Sequence, residues 1–540
     1  MSDILIPRNA GEFADMTDEE IQAFEAMENV PTQVARGEGV EAVPQGTGSV
    51  VDAVEAPTAP EEEEEPKGSK AQSSRLVAFV QGRAALLRDG NRDVYALDNA
   101  TRAVRKIGSG GFRDWLTAGF FGEFREAARG QAIAEACSVL SGLGRESGTE
   151  TEVHVRSAVL DGAYYLDLGE EGQGRAIRVS PGSWAVVEAS PVHFIRSASM
   201  RPIAPPVQGG SLDPLWEIAN IPEESRVLVV AWLCECLRPE TAFPVLELTG
   251  EEGSAKTSTQ KALRTLIDPN ASLVDAPPKS EEDLLLSAAD ALVCSIENVS
   301  HLSLGMQDAY CRLATGAGLK KRKLYSDSDV VTLTFKRPVV LNGITEAVTA
   351  SDLVNRTVTI DLPRLTGGHK EETGLQSAFE SALAGIRGAL LDIFADALRR
   401  LPGVVLPSCE DTRLVSFMSL GVAVAEAMGK DAQAFLGPYL EGRDEAGARI
   451  LEGSPVGEAV LTWISNNPQG GTFTPKEWAD RLKPESGLSD GAWPKSPRGL
   501  ASVFKRLAPA LRRQGVECRS EASLGGPKNR SGNRWKIAPT

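Results

Sequence analysis

Residues 250–257 read Gly-Glu-Glu-Gly-Ser-Ala-Lys-Thr, between the apolar run Pro244–Thr249 and the helical pattern Lys256–Ile267. No other segment constrains the fold as strongly. A buried strand must deliver the chain through a tight glycine turn to a helix N-terminus, which demands an α/β layer. The spacing fits GxxxxGK[ST], with Ala255 in place of the last glycine. A phosphate cradle needs backbone N–H groups converging on oxygen anions at a helix N-terminus. It also needs a lysine for the β/γ charge and a hydroxyl for Mg2+. Gly250, Glu251, Glu252, Gly253, Ser254, Ala255, Lys256, Thr257 and Ser258 are therefore the candidate nucleotide loop, with Thr257 on the metal.

The surrounding pattern alternates. Arg226–Leu237 reads as a helix, Glu281–Ala289 as a helix leading to the strand Ala291–Ile296, and Leu304–Thr315 as another helix. A hairpin over Leu319–Phe335 and strands at Pro338–Leu341 and Thr357–Leu362 follow. Such alternation implies a mostly parallel sheet with helices on its faces. A nucleotide-hydrolysing site of this kind needs an acid at the end of a neighbouring strand, and Glu297 ends an apolar one. Asn298 stands where many such enzymes place the glutamate that polarises the attacking water. An amide can orient water but cannot take a proton. Asn342 closes a third strand, where it is placed to sense a γ-phosphate, and Arg356 follows fourteen residues later as a candidate arginine finger. Lys320, Lys321, Arg322 and Lys323 form four consecutive cations on the hairpin. A charge run is commonly a solvated face; just before the strand ending in Asn342 it is a candidate DNA-gripping loop.

These residues resemble the AAA+/superfamily-3-like helicase domains of phages, plasmids and integrative elements, which are often fused to primases. The likeness rests on Gly250–Thr257, Glu297-Asn298-Val299-Ser300, Cys311-Arg-Leu-Ala-Thr-Gly316, Leu324-Tyr-Ser-Asp327, Arg337-Pro-Val-Val-Leu-Asn-Gly343 and Asp352-Leu-Val-Asn-Arg356. It is dense over 245–365 and looser on either side. The resemblance implies a homo-hexameric ring hydrolysing ATP with Mg2+ between subunits, Arg356 acting in trans, and single-stranded DNA drawn through the centre. Ala255 is shared with minichromosome-maintenance helicases, which the loop resembles locally. Relatives usually carry Asp-Asn where this chain has Glu297-Asn298. The part before residue 200 lacks the paired carboxylates and histidine of a primase-polymerase, so priming would fall to another chain. The rival reading is a weakly or non-hydrolysing, nucleotide-gated DNA-binding scaffold or loader, which Glu297 and Asn298 favour.

Charge distribution adds the ends. The net charge is −17, yet residues 1–75 hold 17 Asp/Glu against 5 Lys/Arg, while residues 491–540 hold 11 Lys/Arg against 2 Asp/Glu. The first segment, with one short helical pattern at Thr17–Met27, reads as a flexible acidic tail; partner binding or DNA mimicry is its alternative role. Residues 76–208 read as a mixed α+β domain, with Arg75–Gln81, Ala84–Arg88, Val94–Leu97 and Ala163–Leu168 as strands and Gly111–Phe121 and Glu123–Leu143 as helices. The nucleotide domain is placed at 209–368 and a helical lid at 369–448. Residues 449–540 follow the order of a winged helix. There the helix Pro497–Gln514 carries Arg498, Lys505, Arg506, Arg512 and Arg513, candidates for duplex DNA, and Lys528, Arg530 and Arg534 sit on the following wing. The seven cysteines, at 137, 234, 236, 294, 311, 409 and 518, form no CxxC pair, which argues against a zinc module or disulfide framework. The most apolar run, Val227–Leu237, is too short to span a bilayer. A soluble, cytoplasmic protein is expected.

Overall fold

The computed structural model describes residues 67–170, 173–316, 319–322, 330–333, 336–365, 372–407, 413–482, 493–521 and 534–540. The helical pattern at Thr17–Met27, Lys323, Lys528 and Arg530 lie outside them.

The described chain opens with a helix, α1 (Lys67–Arg83), where the sequence suggested a strand at Arg75–Gln81. Leu76, Phe79 and Val80 are buried, a spacing of three and four that helical periodicity accounts for and strand alternation does not. β1 (Ala84–Arg88), β2 (Val94–Asp98) and β3 (Val104–Lys106) form an antiparallel meander. α2 (Gly110–Phe124) and α3 (Gly130–Ser147) divide what the sequence suggested as helices ending at 121 and beginning at 123. Arg125 takes a left-handed conformation (φ 53°) and its N–H caps Phe121 O, ending α2. β4 (Thr149–Glu150) adds parallel to β1, and β5 (Val153–His154) follows it. β6 (Ser157–Leu160), β7 (Ala163–Asp167), β8 (Ala176–Ser180) and β9 (Ser183–Val187) form an antiparallel sheet, of which only β7 was read from the sequence. β10 (His193–Phe194) returns to pair with β5.

After α4 (Asp213–Ile218) and α5 (Arg226–Glu235), buried from Val227 onward, comes the central sheet. It contains β11 (Val245–Thr249), β12 (Cys294–Ile296), β15 (Val339–Asn342) and β16 (Thr357–Asp361), all parallel, in the order β12-β15-β11-β16. Successive side chains alternate between faces. Leu246, Leu248, Val340, Val358 and Ile360 enter a large apolar cluster with α5. Three long helices, α10 (Glu372–Arg400), α11 (Val415–Ala427) and α12 (Gln433–Glu452), contribute to that same cluster. Val245, Val339 and Leu341 enter a second cluster on the other face, with α7 (Glu281–Ala289), α8 (Leu304–Thr315) and the short α9 (Ser351–Val354). The helix that follows β11 is α6 (Lys256–Ile267). Between α8 and β15, β13 (Leu319–Arg322) and β14 (Val330–Leu333) pair antiparallel as the hairpin the sequence suggested.

The C-terminal part has a core of its own, from Leu451 to Ile537. Its elements are α13 (Pro455–Asn466), β17 (Gly471–Phe473), α14 (Pro475–Leu482), α15 (Pro497–Arg513), β18 (Val516–Glu521) and β19 (Arg534–Pro539), with sheet order β17-β19-β18. No helix among the described residues is long and apolar enough to cross a membrane.

Candidate functional site

The loop between β11 and α6 has the backbone of an anion cradle. Gly250 and Gly253 have φ of 141° and 82°, and Ala255 is left-handed at φ 56°, ψ 30°. A Cβ on Gly250 would fall 2.6 Å from Leu362 O, so only glycine fits there. Ala255 costs roughly 1–2 kcal/mol in that conformation; a left-handed residue before a helix is the kind of turn that forms an anion-binding nest. The first N–H groups of a helix have no intrahelical acceptor. Glu251 and Glu252 are exposed, Ser254 is buried, and Ser258 is half-buried on the first turn. The Lys256 ammonium closes over the loop, donating to Gly250 O (2.8 Å) and Glu251 O (2.7 Å), with Ser254 Oγ at 3.4 Å.

Glu297 meets this loop from the end of β12. The Thr257 hydroxyl donates to Glu297 Oε2 at 3.3 Å. β12 is not the immediate neighbour of β11, as the sequence suggested; β15 lies between them. Adjacent oxygens around an octahedral Mg2+ with 2.0–2.1 Å ligand distances are about 2.9 Å apart. Thr257 and Glu297 therefore fit one Mg2+ with a few tenths of an ångström of adjustment. Mg2+ sites of this kind commonly take their remaining ligands from substrate phosphates and water.

The expected γ-phosphate sensor, Asn342, is buried and its amide is engaged at both ends. Its Oδ1 accepts from the Asn298 N–H (2.9 Å), and its Nδ2 donates to Gln260 Oε1 (2.6 Å). Gln260 in turn donates to Ser295 Oγ (2.8 Å) and Ile296 O (3.1 Å). Asn298 is left-handed (φ 55°) and exposed, so Asn342 fixes the backbone that presents it.

Arg356 lies at the opposite end of the sheet. Its carbonyl accepts from Val245 N at the start of β11, about 15 Å along the strand from the loop at the far end. It cannot serve its own loop. Arg356 Nε is 3.9 Å from Asp352 Oδ2, too far for a hydrogen bond, and Asp352 also takes the Cys311 thiol (3.1 Å) and Arg413. The hairpin that carries Lys320, Lys321 and Arg322 emerges from this same end of the sheet, between α8 and β15. On α15, Arg498, Lys505, Arg506 and Arg512 are exposed, while Leu500, Phe504, Leu507 and Leu511 are buried. Arg513 departs from the expected outward set. It donates to Asn355 Oδ1 (2.7 Å) and Arg443 O (3.3 Å), because the last turn of α15 lies against α12 and α9.

Two family models match the sequence. One, described as the actinomycete integrative conjugative element replication protein, matches residues 212–436; the other, the AICE RepA C-terminal domain, matches residues 456–540. Together they span more than half of the chain. The chain belongs to this family of mobile-element replication proteins. The first match encloses the loop, Glu297, Asn342 and Arg356, and the second encloses α15. No curated protein matches this replication protein. Among solved structures it is similar to one described as SCCmec type IV Cch, active helicase, at 13% identity and TM-score 0.44, covering 85% of this chain and 92% of that one. It is also similar to the NrS-1 C-terminal region, at 11% identity and TM-score 0.36, covering 86% and 98%. A JCV helicase is similar at 15% identity and TM-score 0.21, covering 41% and 71%.

Sequence reasoning missed three residues at the site of this replication protein. Gln260 carried a signal: it is a polar residue on the stripe Lys256–Gln260–Leu263–Ile267 that α6 turns inward. Asp361 repeats the pattern of an acid ending an apolar strand, and it accepts from Thr249 Oγ1 (3.1 Å) beside the loop. Asn220 carried none. It donates to Ser254 O (3.0 Å) and Pro363 O (2.6 Å), tying the segment after α4 across the loop.

Proposed function

We propose that this replication protein binds Mg-ATP on residues 250–258, hydrolyses it, and moves on DNA as a helicase-type motor of the element it replicates. The observation that carries the reading is the convergence of the Thr257 hydroxyl and the Glu297 carboxylate, 3.3 Å apart, at the mouth of a loop closed by Lys256. On binding, phosphate oxygens would take over the ammonium from the loop carbonyls, and the N–H groups of α6 would hold the same anion. Thr257 and Glu297 would hold Mg2+, which neutralises charge developing on the phosphoryl oxygens. Asn298 would orient water, and Asn342, through the Asn298 backbone and Gln260, would keep it in register with the loop. Arg356 would complete the site of a neighbouring subunit, since its distance from its own loop leaves only that use. That requires a ring, here a homo-hexamer.

In this reading the chain comprises an acidic tail that ends before α1 at Lys67 rather than at residue 75, an α+β domain from α1 to 208, an AAA+-like ATPase domain (209–368), a helical lid (369–448) and a winged-helix-like basic domain (449–540). The order α13-β17-α14-α15-β18-β19 and the exposed cations of α15 support the last assignment. The hairpin would grip single-stranded DNA in the ring and α15 would hold duplex, with a separate primase or polymerase supplying primers. Asn298 favours a second reading, a nucleotide-gated loader with weak turnover, because it cannot act as a base. Steady-state ATP turnover with and without single-stranded DNA decides between them. The motor turns over faster with DNA and is silenced by Lys256→Ala; a loader binds ATP with negligible turnover in both conditions. Turnover unaffected by Lys256→Ala refutes both.

A further inference from the structure

At the end of the central sheet away from the nucleotide loop lies a cavity of about 470 Å3. It is built where strands begin: Phe243 precedes β11, and Lys336 and Arg337 precede β15. Thr315 closes α8 on one side, and Ser157 and His154 come from the N-terminal part. The chain leaves this cavity at Gly316, runs through the basic hairpin, and re-enters it at Lys336. The hairpin therefore lies in sequence between two residues of the cavity lining.

The lining is cationic. The Lys336 ammonium donates to Thr241 O (2.6 Å) and lies 5.7 Å from the centroid of the Phe243 ring. An ammonium has three donors, and this carbonyl takes one. Arg337 donates to Ala288 O (2.9 Å) and Lys336 O (2.8 Å), which fixes its guanidinium at the cavity wall. The one carboxylate in ion-pair reach of His154 among the described residues is Glu152, at 3.7 Å and 90% exposed. His193 lies behind the lining on the paired strand β10, and Phe194 stands 6.4 Å from the His154 ring. Burial pushes His154 below its ordinary value and Arg337 pushes it further, against the opposing pull of Glu152. Burial also lowers Lys336 and, with Arg102 and His154, lowers His193.

A concave site of this size accepts a nucleotide-sized group. Lys336 and Arg337 in the lining favour an anion, with Glu152 solvated beside His154 and with Glu240 and Glu235 acting on Lys336 from outside the lining.

We propose that the cavity is a second phosphate site, holding one phosphodiester of the single-stranded DNA that the hairpin grips. The assignment rests on the DNA-motor reading. A phosphate beside His154 supplies the missing negative charge and favours the imidazolium. Binding therefore takes up a proton, and affinity falls as pH rises through the range between the free and bound values. The hairpin cations, which stay charged throughout, have no such dependence.

The test uses the full chain and a labelled oligo(dT) of ~20 nucleotides, followed by fluorescence anisotropy across salt at about pH 6 and about pH 8. Wild type should bind several-fold more tightly at the lower pH. Lys336→Gln should bind roughly tenfold more weakly, with its log–log salt slope reduced by about 0.7, the value for one single-strand phosphate. His154→Gln should keep the affinity at high pH and lose the gain at low pH. Millimolar inorganic phosphate, against matched chloride, should weaken wild type more than Lys336→Gln. Melting curves verify that each variant folds, and His154→Gln stands alone if Lys336→Gln does not. The cavity assignment is overturned if both variants match wild type at both pH values while Lys320→Ala/Lys321→Ala/Arg322→Ala loses binding; the motor reading then stands. Phosphate competition that neither substitution alters overturns it too. Failure of wild type to bind DNA overturns the motor reading itself.

Discussion

Glu247 sits in the middle of β11, three residues before the nucleotide loop, and is 3% exposed. One oxygen accepts from the N–H groups of Ala347 (2.8 Å) and Val348 (3.1 Å), the other from the Thr359 hydroxyl (3.2 Å). These bonds favour the carboxylate, but burial outweighs them and pushes the group up to about 7. A free glutamate titrates near 4.3, so the folded state holds its proton where the unfolded chain has released it. The stability from this group is complete below about pH 4 and is lost as pH rises through about 7. Between two and three pH units at ~1.36 kcal/mol each amount to ~3 kcal/mol. Glu247→Gln removes the titration and keeps the contacts: Oε1 accepts both N–H groups and Nε2 donates to Thr359 Oγ1. The variant should match wild type below about pH 4, lead by ~1 kcal/mol at about pH 5 and be more stable by ~3 kcal/mol at about pH 8. For a cooperative unit of 150–250 residues, at ~2–4 °C per kcal/mol, that is a Tm gain of ~6–12 °C. Melting both proteins across this range measures it. An offset independent of pH, or a variant less stable at pH 8, would refute the reasoning, because Glu247 would then titrate in the folded protein no higher than it does in the unfolded chain. The contact ties β11 to the segment leading into α9 and Arg356, so pH-dependent loosening there would also reach Arg356.

Arg356→Ala should retain ATP affinity and lose turnover by ~10³-fold or more, since a finger stabilises transition-state charge. Mixing it with Lys256→Ala protein should restore part of the rate at hybrid interfaces, and an equal loss of binding and turnover would count against a role in trans. Replacing Arg498, Lys505 and Arg512 by Ala should weaken duplex binding and reduce its salt slope by about 2.7, three phosphates at ~0.9 each, without lowering Tm. Arg513→Ala should instead lower Tm with little change in slope, because its guanidinium is held by Asn355 and Arg443. The opposite assignment of effects would mean that the last turn of α15 faces DNA.

The central sheet, the bounds of α6, the helical run after residue 372 and the element order of the C-terminal part were legible in the sequence. Each is a local matter: apolar period, a glycine turn, a capped helix start, all encoded within a dozen residues. The place of the loop between β11 and α6 was legible for the same reason, since Gly250, Lys256 and Thr257 are fixed by their spacing within one turn. Arg75–Gln81 was misread because a short apolar run fits both periods, and packing of Leu76, Phe79 and Val80 against α2 and α3 decided for helix. Only the tertiary structure decided which distant groups share hydrogen bonds. Strand order placed β15 between β11 and β12 and turned the Asn342 amide onto Asn298 and Gln260. The docking of α15 on α12 drew Arg513 inward while leaving Arg512 outside. Burial deep in β11 made an ordinary glutamate titrate near neutrality. A side chain's charge, partner and direction depend on what the rest of the chain brings against it, and no local pattern carries that information.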